Sequence, residues 1–442
     1  MTDGLARRNG GRLGVATLAA ILLLGLGLRV GEAWDGRAPV YDARAYAAIA
    51  ANLAHGEGFT VGAGATQPSS NYSPGVPLFV AGLYEATGGV HERFARLVLA
   101  LVGALAVLFA YLIGRRLSGV AAGLIGAAAV AIYPALLEYQ GMLMSEPLAA
   151  TLLSGAVLAM FWARDDSGQG VRWVLPGMLL GALALVRPEY LGVAFLLELV
   201  VFVIGVREDW RRSLASAAIM LVAALLMIAP WAIRNTTALD RFVPISTGGG
   251  QVLFAGTYLP SDGDPEKVGG EVVARHPGFF DPGDAKRLRL EQILAMLAAN
   301  RYPQLETDQA LARIGRERLW DGVSEEPLEY AGFVATKVAR IWSHGPRDVM
   351  RDLPWELMHW TLVAFGLVGL TVLVAQRRWE AAVLATVFLA ITALSALLVA
   401  SPRRVLVMLP LVAALGGVGA VWLTQRLRAR TASTSTPGGM RS

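Results

Sequence analysis

The sequence lacks cysteine and is poor in charged residues. None of its 442 residues is a cysteine, which excludes disulfides, thiolate chemistry, iron–sulfur clusters and cysteine-ligated zinc. The five histidines are scattered and show neither the HxxxH nor the HExxH spacing of histidine-based metal sites. Charged residues make up only 17% of the chain, against about 25% in a typical soluble protein. Such a chain, 55% hydrophobic, places much of its surface in lipid.

The basic excess is small, with a net charge of +5. Most arginines stand at the ends of apolar runs, which is how membrane topology signals are distributed. A nucleic-acid-binding surface would instead cluster its basic residues on one face. The charge pattern therefore predicts membrane lipids as partners and no nucleic acid.

Ten apolar runs approach the roughly 20 residues that a helix needs to cross a bilayer. With the N-terminus in the cytoplasm, the arginine clusters of the short loops all fall on the cytoplasmic side. The first run is interpreted as a retained span, because Gly31–Asp35 offers no clear small-x-small cleavage site. The predicted spans are 13–30, 94–113, 119–137, 146–163, 172–187, 190–206, 213–232, 356–375, 379–400 and 404–424.

The predicted fold is an all-α polytopic membrane protein of four segments. The first external loop, 31–93, is expected to carry two interfacial helices, one beginning at Asp42 and one covering Val76 to Thr87. Amphipathic stretches near 284–299, 306–319 and 327–343 predict that the large external segment is mostly helical. The four segments are an N-terminal membrane module 1–232, an extracytoplasmic domain 233–355, a C-terminal membrane module 356–424 and a disordered cytoplasmic tail 425–442.

Arginines on the outer side are informative because topology does not explain them. Arg187 ends an apolar run of roughly 22 Å of helix, shorter than the hydrocarbon core of roughly 30 Å, so its charge lies near lipid depth. Arg403 and Arg404 start the last span, and Arg234 follows the seventh. A planar guanidinium matches phosphate, so these residues are candidates for binding a lipid-linked phosphate. The alternative is that they extend to headgroups or pair with acids such as Glu189.

Carboxylates on the same side are candidates for proton transfer. Asp42 begins the first interfacial helix, Asp35 precedes it, and Glu146 opens the fourth span. A carboxylate that faces a cavity can act as a general base for an acceptor hydroxyl or amine. The alternatives are that Asp42 is an N-cap and that Glu146 only favours the first turn of its helix.

Several motifs follow one another in an order that a known superfamily shares. They are Asp42-x3-Tyr46-x2-Ile49-Ala50-x2-Leu53-x2-Gly56-x-Gly58-Phe59, Tyr72-Ser73-Pro74-Gly75-Val76-Pro77-Leu78, Ser145-Glu146-Pro147, Arg187-Pro188, Pro230-Trp231-x2-Arg234-Asn235 with Phe242-Val243-Pro244-Ile245-Ser246, and Arg403-Arg404 before Pro410. On these motifs the chain resembles the GT-C glycosyltransferases, in the group of the protein O-mannosyltransferases and lipid A aminoarabinose transferases. Together they cover most of the chain.

The resemblance implies an inverting transferase of the bacterial inner membrane, active on the extracytoplasmic side. Its donor would be a polyprenyl-phospho-sugar, and its acceptor a lipid, a glycan or a protein. Asp42 aligns with the catalytic base of the family. The remaining candidates are Arg187, Arg234, Arg403 and Arg404 for the donor phosphate, and Arg44, Tyr46, Tyr72 and Glu146 for lining the site.

Two departures from the family pattern leave the acceptor open. The aminoarabinose transferases carry a lysine where this chain has Ser73, and the protein mannosyltransferases carry a second acid where it has Ala43. Asp262-Gly263-Asp264 matches the DxD metal motif of soluble glycosyltransferases but is interpreted as a turn, so the sequence assigns no metal ligand and leaves dependence on a divalent cation open. Two other functions stay open: a flippase or transporter of lipid-linked saccharides, and an oligosaccharide polymerase or ligase.

The topology is directly testable. With both termini in the cytoplasm and ten spans, residues 240–345 should lie outside, because the arginine clusters then all fall inside. Reporter fusions or labelling of introduced cysteines would measure this. A cytoplasmic signal from any position in 240–345 would contradict the predicted topology.

Overall fold

The computed structural model of the chain describes residues 2–40, 42–62, 67–165 and 170–434, which form helices joined by turns and loops. The helices are α1 (Thr2–Asp35), α2 (Asp42–Ala54), α3 (Gly75–Thr87), α4 (Glu92–Ser118), α5 (Val120–Ile132), α6 (Pro134–Glu138), α7 (Ser145–Asp165), α8 (Val174–Val186), α9 (Tyr190–Leu239), α10 (Gly249–Thr257), α11 (Val268–Arg275), α12 (Asp284–Arg287), α13 (Leu290–Arg301), α14 (Thr307–Glu325), α15 (Pro327–Ser343), α16 (Leu353–Ala375), α17 (Trp379–Leu397) and α18 (Arg403–Thr434). The predicted all-α membrane class is confirmed.

Among the described residues, seven helices are long and apolar enough to cross a membrane, or eight if a bent pair counts as one span. The chain is therefore an integral membrane protein. The predicted spans 190–206 and 213–232 lie in one helix, α9, whose backbone leaves helical geometry at Asp209. The predicted span 172–187 corresponds to a shorter apolar stretch, Gly170–Val186. A total of ten spans stays a prediction that needs both of these segments to cross.

The bent pair consists of Val120–Ile132 and Pro134–Gly141, which meet at 53°. A helix end leaves backbone carbonyls without intrahelical partners, and lipid cannot satisfy them. Arg29, which is 1% exposed, supplies the donors: it donates to the carbonyl oxygens of Val130 at 2.9 Å and Ala131 at 3.1 Å. This buried arginine of α1 thus stabilises the break between α5 and α6.

Helix α18 is the centre of the membrane bundle and packs against α4, α5, α7 and α16. Glycines allow the closest approaches. A Cβ on Gly417 would lie 2.1 Å from the carbonyl oxygen of Ala122, and a Cβ on Gly369 would lie 2.1 Å from that of Leu415. Because α18 begins at Arg403, this packing fixes the position of that arginine at one end of the bundle.

The segment predicted to be external (the external domain) forms its own core from α10, α11, α13 and α14. The predicted stretches 306–319 and 327–343 correspond to α14 and α15, and 284–299 divides into α12 and α13. The expected mostly helical domain is therefore seen within 233–355. At the other end of the chain, α18 continues to Thr434, into the segment predicted as a disordered tail. Residues 435–442 lie outside the described residues.

Lys337 of α15 joins the external domain to the membrane module. Its amine has no exposed surface and donates to the carbonyl oxygens of Gly256 at 2.6 Å and Ala396 at 2.5 Å. The turn at Asp262 and Gly263 covers its stem, since a Cβ on Gly263 would lie 2.4 Å from Lys337 Cγ. Both residues of this turn have positive φ, 52° and 67°. The turn interpretation of Asp262-Gly263-Asp264 is confirmed.

The protonation of Lys337 gives the stability of this junction a defined pH dependence. Burial, and then the charge of Arg404, lowers the pKa of Lys337 to about 7, whereas an unfolded lysine has a pKa of about 10.4. Between these values the unfolded chain binds the proton and the folded chain does not, so stability rises with pH in this window. In Lys337→Met we expect a smaller rise in the thermal unfolding midpoint between pH about 7 and about 9.5. The exposed Lys267→Met should keep the wild-type rise, and an equal rise in all three proteins would refute this account.

Candidate active site

The site begins where the first residue of α2 meets the first residue of α18. Arg403 Nη2 donates to Asp42 Oδ2 at 3.1 Å. The Asp42 side chain is 40% exposed, and its Oδ1 has no hydrogen bond to the residues that the structure describes. The predicted helix start at Asp42 is confirmed, and its carboxylate lies at the surface of a charged cluster.

Glu146, in the first turn of α7, lies beneath this pair and has no exposed surface. Its Oε1 accepts from Arg403 Nε at 2.6 Å and from Arg187 Nη1 at 3.3 Å, and its Oε2 accepts from Ser145 Oγ at 3.4 Å. A buried carboxylate is costly unless cations and donors replace its water. Arg403 therefore bridges an exposed carboxylate, Asp42, and a buried one, Glu146.

Arg187 extends the cluster to a third carboxylate. It directly follows α8 in an extended conformation, and its Nε donates to Glu189 Oε1 at 2.9 Å. Arg404 lies 3.9 Å from the same oxygen but donates to Ser395 Oγ at 3.1 Å and to the carbonyl oxygen of Val399. Arg404 thus holds the end of α17, whereas Arg187 points toward Glu146.

Two tyrosines form a wall beside Asp42. Tyr46 lies one turn along α2, and its ring meets that of Tyr72 edge to face at a centroid distance of 6.1 Å. Burial, and then the charge of Asp42, raises the pKa of both hydroxyls. Both hydroxyls therefore stay neutral, and the partly exposed Tyr72 can offer its hydroxyl to a ligand, whereas Tyr46 is only 5% exposed.

A further charged layer lies behind Tyr139 and was not found from the sequence. The guanidinium carbons of Arg403 and Arg347 lie 5.8 Å and 6.0 Å from the centroid of the Tyr139 ring. Arg347 and Arg37 both pair with Glu138, at 2.8 Å and 3.4 Å. The one signal in the sequence was the polar pair Glu138-Tyr139 at the outer end of a predicted span.

Comparisons with known proteins bear on this geometry. A family model described as dolichyl-phosphate-mannose-protein mannosyltransferase matches residues 71–233. In fold, the chain is similar to the oligosaccharyltransferase AglB of Archaeoglobus fulgidus in complex with an inhibitory peptide and a dolichol-phosphate, with a TM-score of 0.58 and 15% identity. That match covers 97% of this chain and 52% of AglB. The chain is similar to the GT-C glycosyltransferases.

Two other solved structures match the chain at similarly low sequence identity. The apo form of the Archaeoglobus fulgidus oligosaccharyltransferase matches with a TM-score of 0.57 and 16% identity, over 97% of this chain and 52% of that one. The chain thus spans about half the length of these proteins. The structure of ArnT from Cupriavidus metallidurans bound to undecaprenyl phosphate matches over 97% of this chain and 81% of that one, at 17% identity. Its TM-score of 0.40 is too low to indicate a shared fold. No curated protein matches in sequence. The likeness establishes the fold.

The GT-C-like motif around Trp231 anchors loops, and its side-chain hydrogen bonds to the other described residues go to loop carbonyls and not to the charged cluster. Trp231 Nε1 donates to the carbonyl oxygen of Ile245 at 2.7 Å, and Asn235 Nδ2 donates to the same oxygen at 3.0 Å. Arg234 donates to the carbonyl oxygens of Ser69 at 2.9 Å and Phe59 at 3.3 Å. These bonds tie the end of α9 to the two loops that follow α2 and α9.

The candidates from the sequence thus divide into two groups. Arg234 and Arg44 lie outside the cluster: Arg234 holds loops, and Arg44 is exposed on α2 without an ion pair to the described residues. The residues that the GT-C-like fold brings together are Asp42, Tyr46, Tyr72, Glu146, Arg187, Arg403 and, through Glu189, Arg404.

The bonding of Arg234 makes it separable from the donor site. Arg234→Ala removes bonds to two loop carbonyls and should lower the thermal unfolding midpoint, on the scale of about 1–3 kcal/mol of stability. Binding of a polyprenyl phosphate by the folded fraction should stay within about twofold of wild type. Loss of a charge-assisted contact to the phosphate would weaken binding by more than twofold. Asn235→Ala, which loses bonds to two carbonyl oxygens of the loop that follows α9, is the control. Loss of lipid binding in Arg234→Ala alone, with normal stability, would return Arg234 to the donor site.

Proposed function

We propose that this protein is a glycosyltransferase that moves a sugar from a polyprenyl-phosphate-linked donor to an acceptor on the extracytoplasmic face of a bacterial inner membrane, with inversion. The observation that carries the proposal is the Arg403 guanidinium, which joins the partly exposed Asp42 to the buried Glu146. The GT-C-like fold and the family match over residues 71–233 support the same activity.

Asp42 is proposed as the general base. Arg403 orients the carboxylate through Oδ2, which leaves Oδ1 to accept a proton. In the reaction, the acceptor hydroxyl or amine gives its proton to Asp42 and attacks the anomeric carbon of the sugar. The bond from that carbon to the phosphate oxygen breaks, and polyprenyl phosphate leaves with the electron pair. Attack opposite the leaving group inverts the anomeric configuration.

Arg403 and Arg187 are proposed to bind the donor phosphate. Both guanidinium groups converge on Glu146, with Arg403 20% exposed and Arg187 13% exposed. Because the carboxylates of the cluster balance its arginines, these cations are held in place without a bound anion. An arriving phosphate would share their donors, and the charge that develops on the leaving phosphate would be stabilised by groups already oriented.

Tyr46 and Tyr72 are proposed to line the sugar site. Their rings stand edge to face beside Asp42, and Tyr72 also lies within electrostatic range of Arg289 and Glu291 at the start of α13. We infer from this proximity that the external domain covers the sugar and presents the acceptor. A shielded site of this kind would keep water from competing with the acceptor.

A second candidate is transfer of an oligosaccharide from the same class of lipid carrier. The observation that favours it is the fold likeness to an archaeal oligosaccharyltransferase. Donors that carry one sugar and donors that carry several distinguish the two functions when released polyprenyl phosphate is measured. Movement of an intact donor across the membrane without release of polyprenyl phosphate would indicate a flippase instead.

Asp42→Asn tests the proposed base. Asparagine keeps the size of the side chain and suits a helix start about as well as aspartate, so the variant should fold and bind the donor. It cannot take up the proton, so transfer should fall by roughly two orders of magnitude or more. Release of polyprenyl phosphate from a polyprenyl-phospho-sugar measures the rate.

Asp35→Asn is the matched control, because Asp35 lies in the same external region but outside the motif. It should keep most of the activity. Near-normal turnover in Asp42→Asn would leave Asp42 a structural residue. Loss of turnover in Asp35→Asn alone would mean that the base is misassigned.

Arg187 and Arg403 are tested by their effect on donor binding. Arg→Ala at either position removes charge-assisted bonds to phosphate and should weaken donor binding more than acceptor binding. Arg→Lys should restore it only in part, because an ammonium lacks the planar fork. The exposed Arg44→Ala is the control and should bind the donor normally. If both alanine variants fold and bind the donor with wild-type affinity, the assignment is wrong.

A further inference from the structure

An apolar groove lies on the membrane bundle away from the candidate active site. Helices α4, α7 and α8 enclose a cavity volume of about 900 Å³, at the upper end of the roughly 300–1,000 Å³ of small-molecule sites. Its lining includes Leu105, Phe109, Gly155, Trp162 and Leu179. Gly155 lies in the floor, where a Cβ would approach the Phe109 ring to 3.1 Å. The groove is therefore suited to hydrocarbon.

The groove is closed toward the active site. Thr151 Oγ1 donates to the carbonyl oxygen of Val102 at 3.0 Å, so α4 and α7 are in contact at that end. Between this contact and Glu146, all residues of α7 are buried within the bundle. A lipid whose phosphate lies at Arg403 thus has no open path along α7 into the groove.

The opposite end of the groove carries charge. Arg115, Arg116 and Asp165 line it, and that end is the one that the arginine pattern predicts to be cytoplasmic. Arg116 pairs with both Asp165 and Glu380, whereas Arg115 is exposed and forms no ion pair with the described residues. Arg115 is therefore the cation at this mouth that can meet an anionic headgroup.

We propose that this groove binds an anionic diacyl phospholipid of the cytoplasmic leaflet, with the phosphate at Arg115 and an acyl chain along the apolar lining. Basic pockets between transmembrane helices on the cytoplasmic side are suited to anionic headgroups. From Val102 to Arg115 the helix rises roughly 20 Å, somewhat more than one leaflet of a hydrocarbon core roughly 30 Å thick. The groove thus matches one chain of one leaflet. This site is independent of the proposed transfer reaction.

The test is lipid retention by the purified full-length protein. The protein would be incorporated in vesicles of equal parts phosphatidylglycerol and phosphatidylcholine and extracted in mild detergent, and the lipid that stays bound would be measured by mass spectrometry. Wild type should retain phosphatidylglycerol over phosphatidylcholine by about fivefold, the scale of one arginine's attraction to an anionic lipid. Arg115→Gln should remove the preference. Leu105→Trp, which fills the groove, should lower the retention of both lipids.

Matched controls lie outside the groove. Arg428→Gln removes an exposed arginine of α18, and Leu389→Trp enlarges an exposed side chain of α17, so both should retain lipid like wild type. Equal retention in all five proteins would overturn the proposal. So would loss of retention in the controls to the same extent, which indicates a general lipid shell. If the groove variants instead lose bound polyprenyl phosphate and keep phosphatidylglycerol, the occupant is the donor tail and the proposal is wrong.

Discussion

Glu146 is a carboxylate without exposed surface, and the arrangement of the site follows from its need for compensation. A charge removed from water must be paired and hydrogen-bonded, or the fold pays several kcal/mol for it. Here the compensation comes from Arg403 and Arg187, which start one helix and follow another. The same Arg403 then reaches Asp42 at the surface. Burial of one acid thereby fixes the cation that orients the proposed base.

The packing of the bundle holds the helix ends that carry Glu146, Arg187 and Arg403 next to one another. Helix α18 places Arg403 because it packs at the centre of the bundle, with backbone contacts made close by Gly417 and Gly369. Lys337 and Arg404 both bind backbone carbonyls at the end of α17, so the external domain and the charged cluster share one anchor. A change in how the external domain packs on α17 would therefore shift Arg404, and through it Glu189 and Arg187. This coupling gives the external domain a physical route to the site.

Much of the fold and part of the site could be predicted from the sequence. Apolar runs and arginine clusters predict the membrane helices, and the motif at Asp42 predicts both α2 and the residue that pairs with Arg403. The charged stretch between the predicted spans 190–206 and 213–232 indicates a break, and the backbone of α9 leaves helical geometry within it, at Asp209. Arg234 was grouped with the arginines proposed to bind phosphate, because composition cannot distinguish a guanidinium that binds loop carbonyls from one that faces a cavity. The layer at Tyr139 and Arg347 depends on contacts between segments more than 200 residues apart.

A structure of the protein with bound polyprenyl phosphate tests the central claim most directly. The account predicts that the phosphate lies within hydrogen-bonding distance of Arg403 and Arg187, about 2.7–3.2 Å from nitrogen to oxygen, with Asp42 facing the space where the sugar would be attached. A phosphate bound at Arg234, or at the mouth of the apolar groove beside Arg115, would contradict it. A phosphate on the face of the Tyr139 ring opposite Arg403 would also contradict it. Asp42 could not then take the proton from an acceptor that is aligned with the breaking bond.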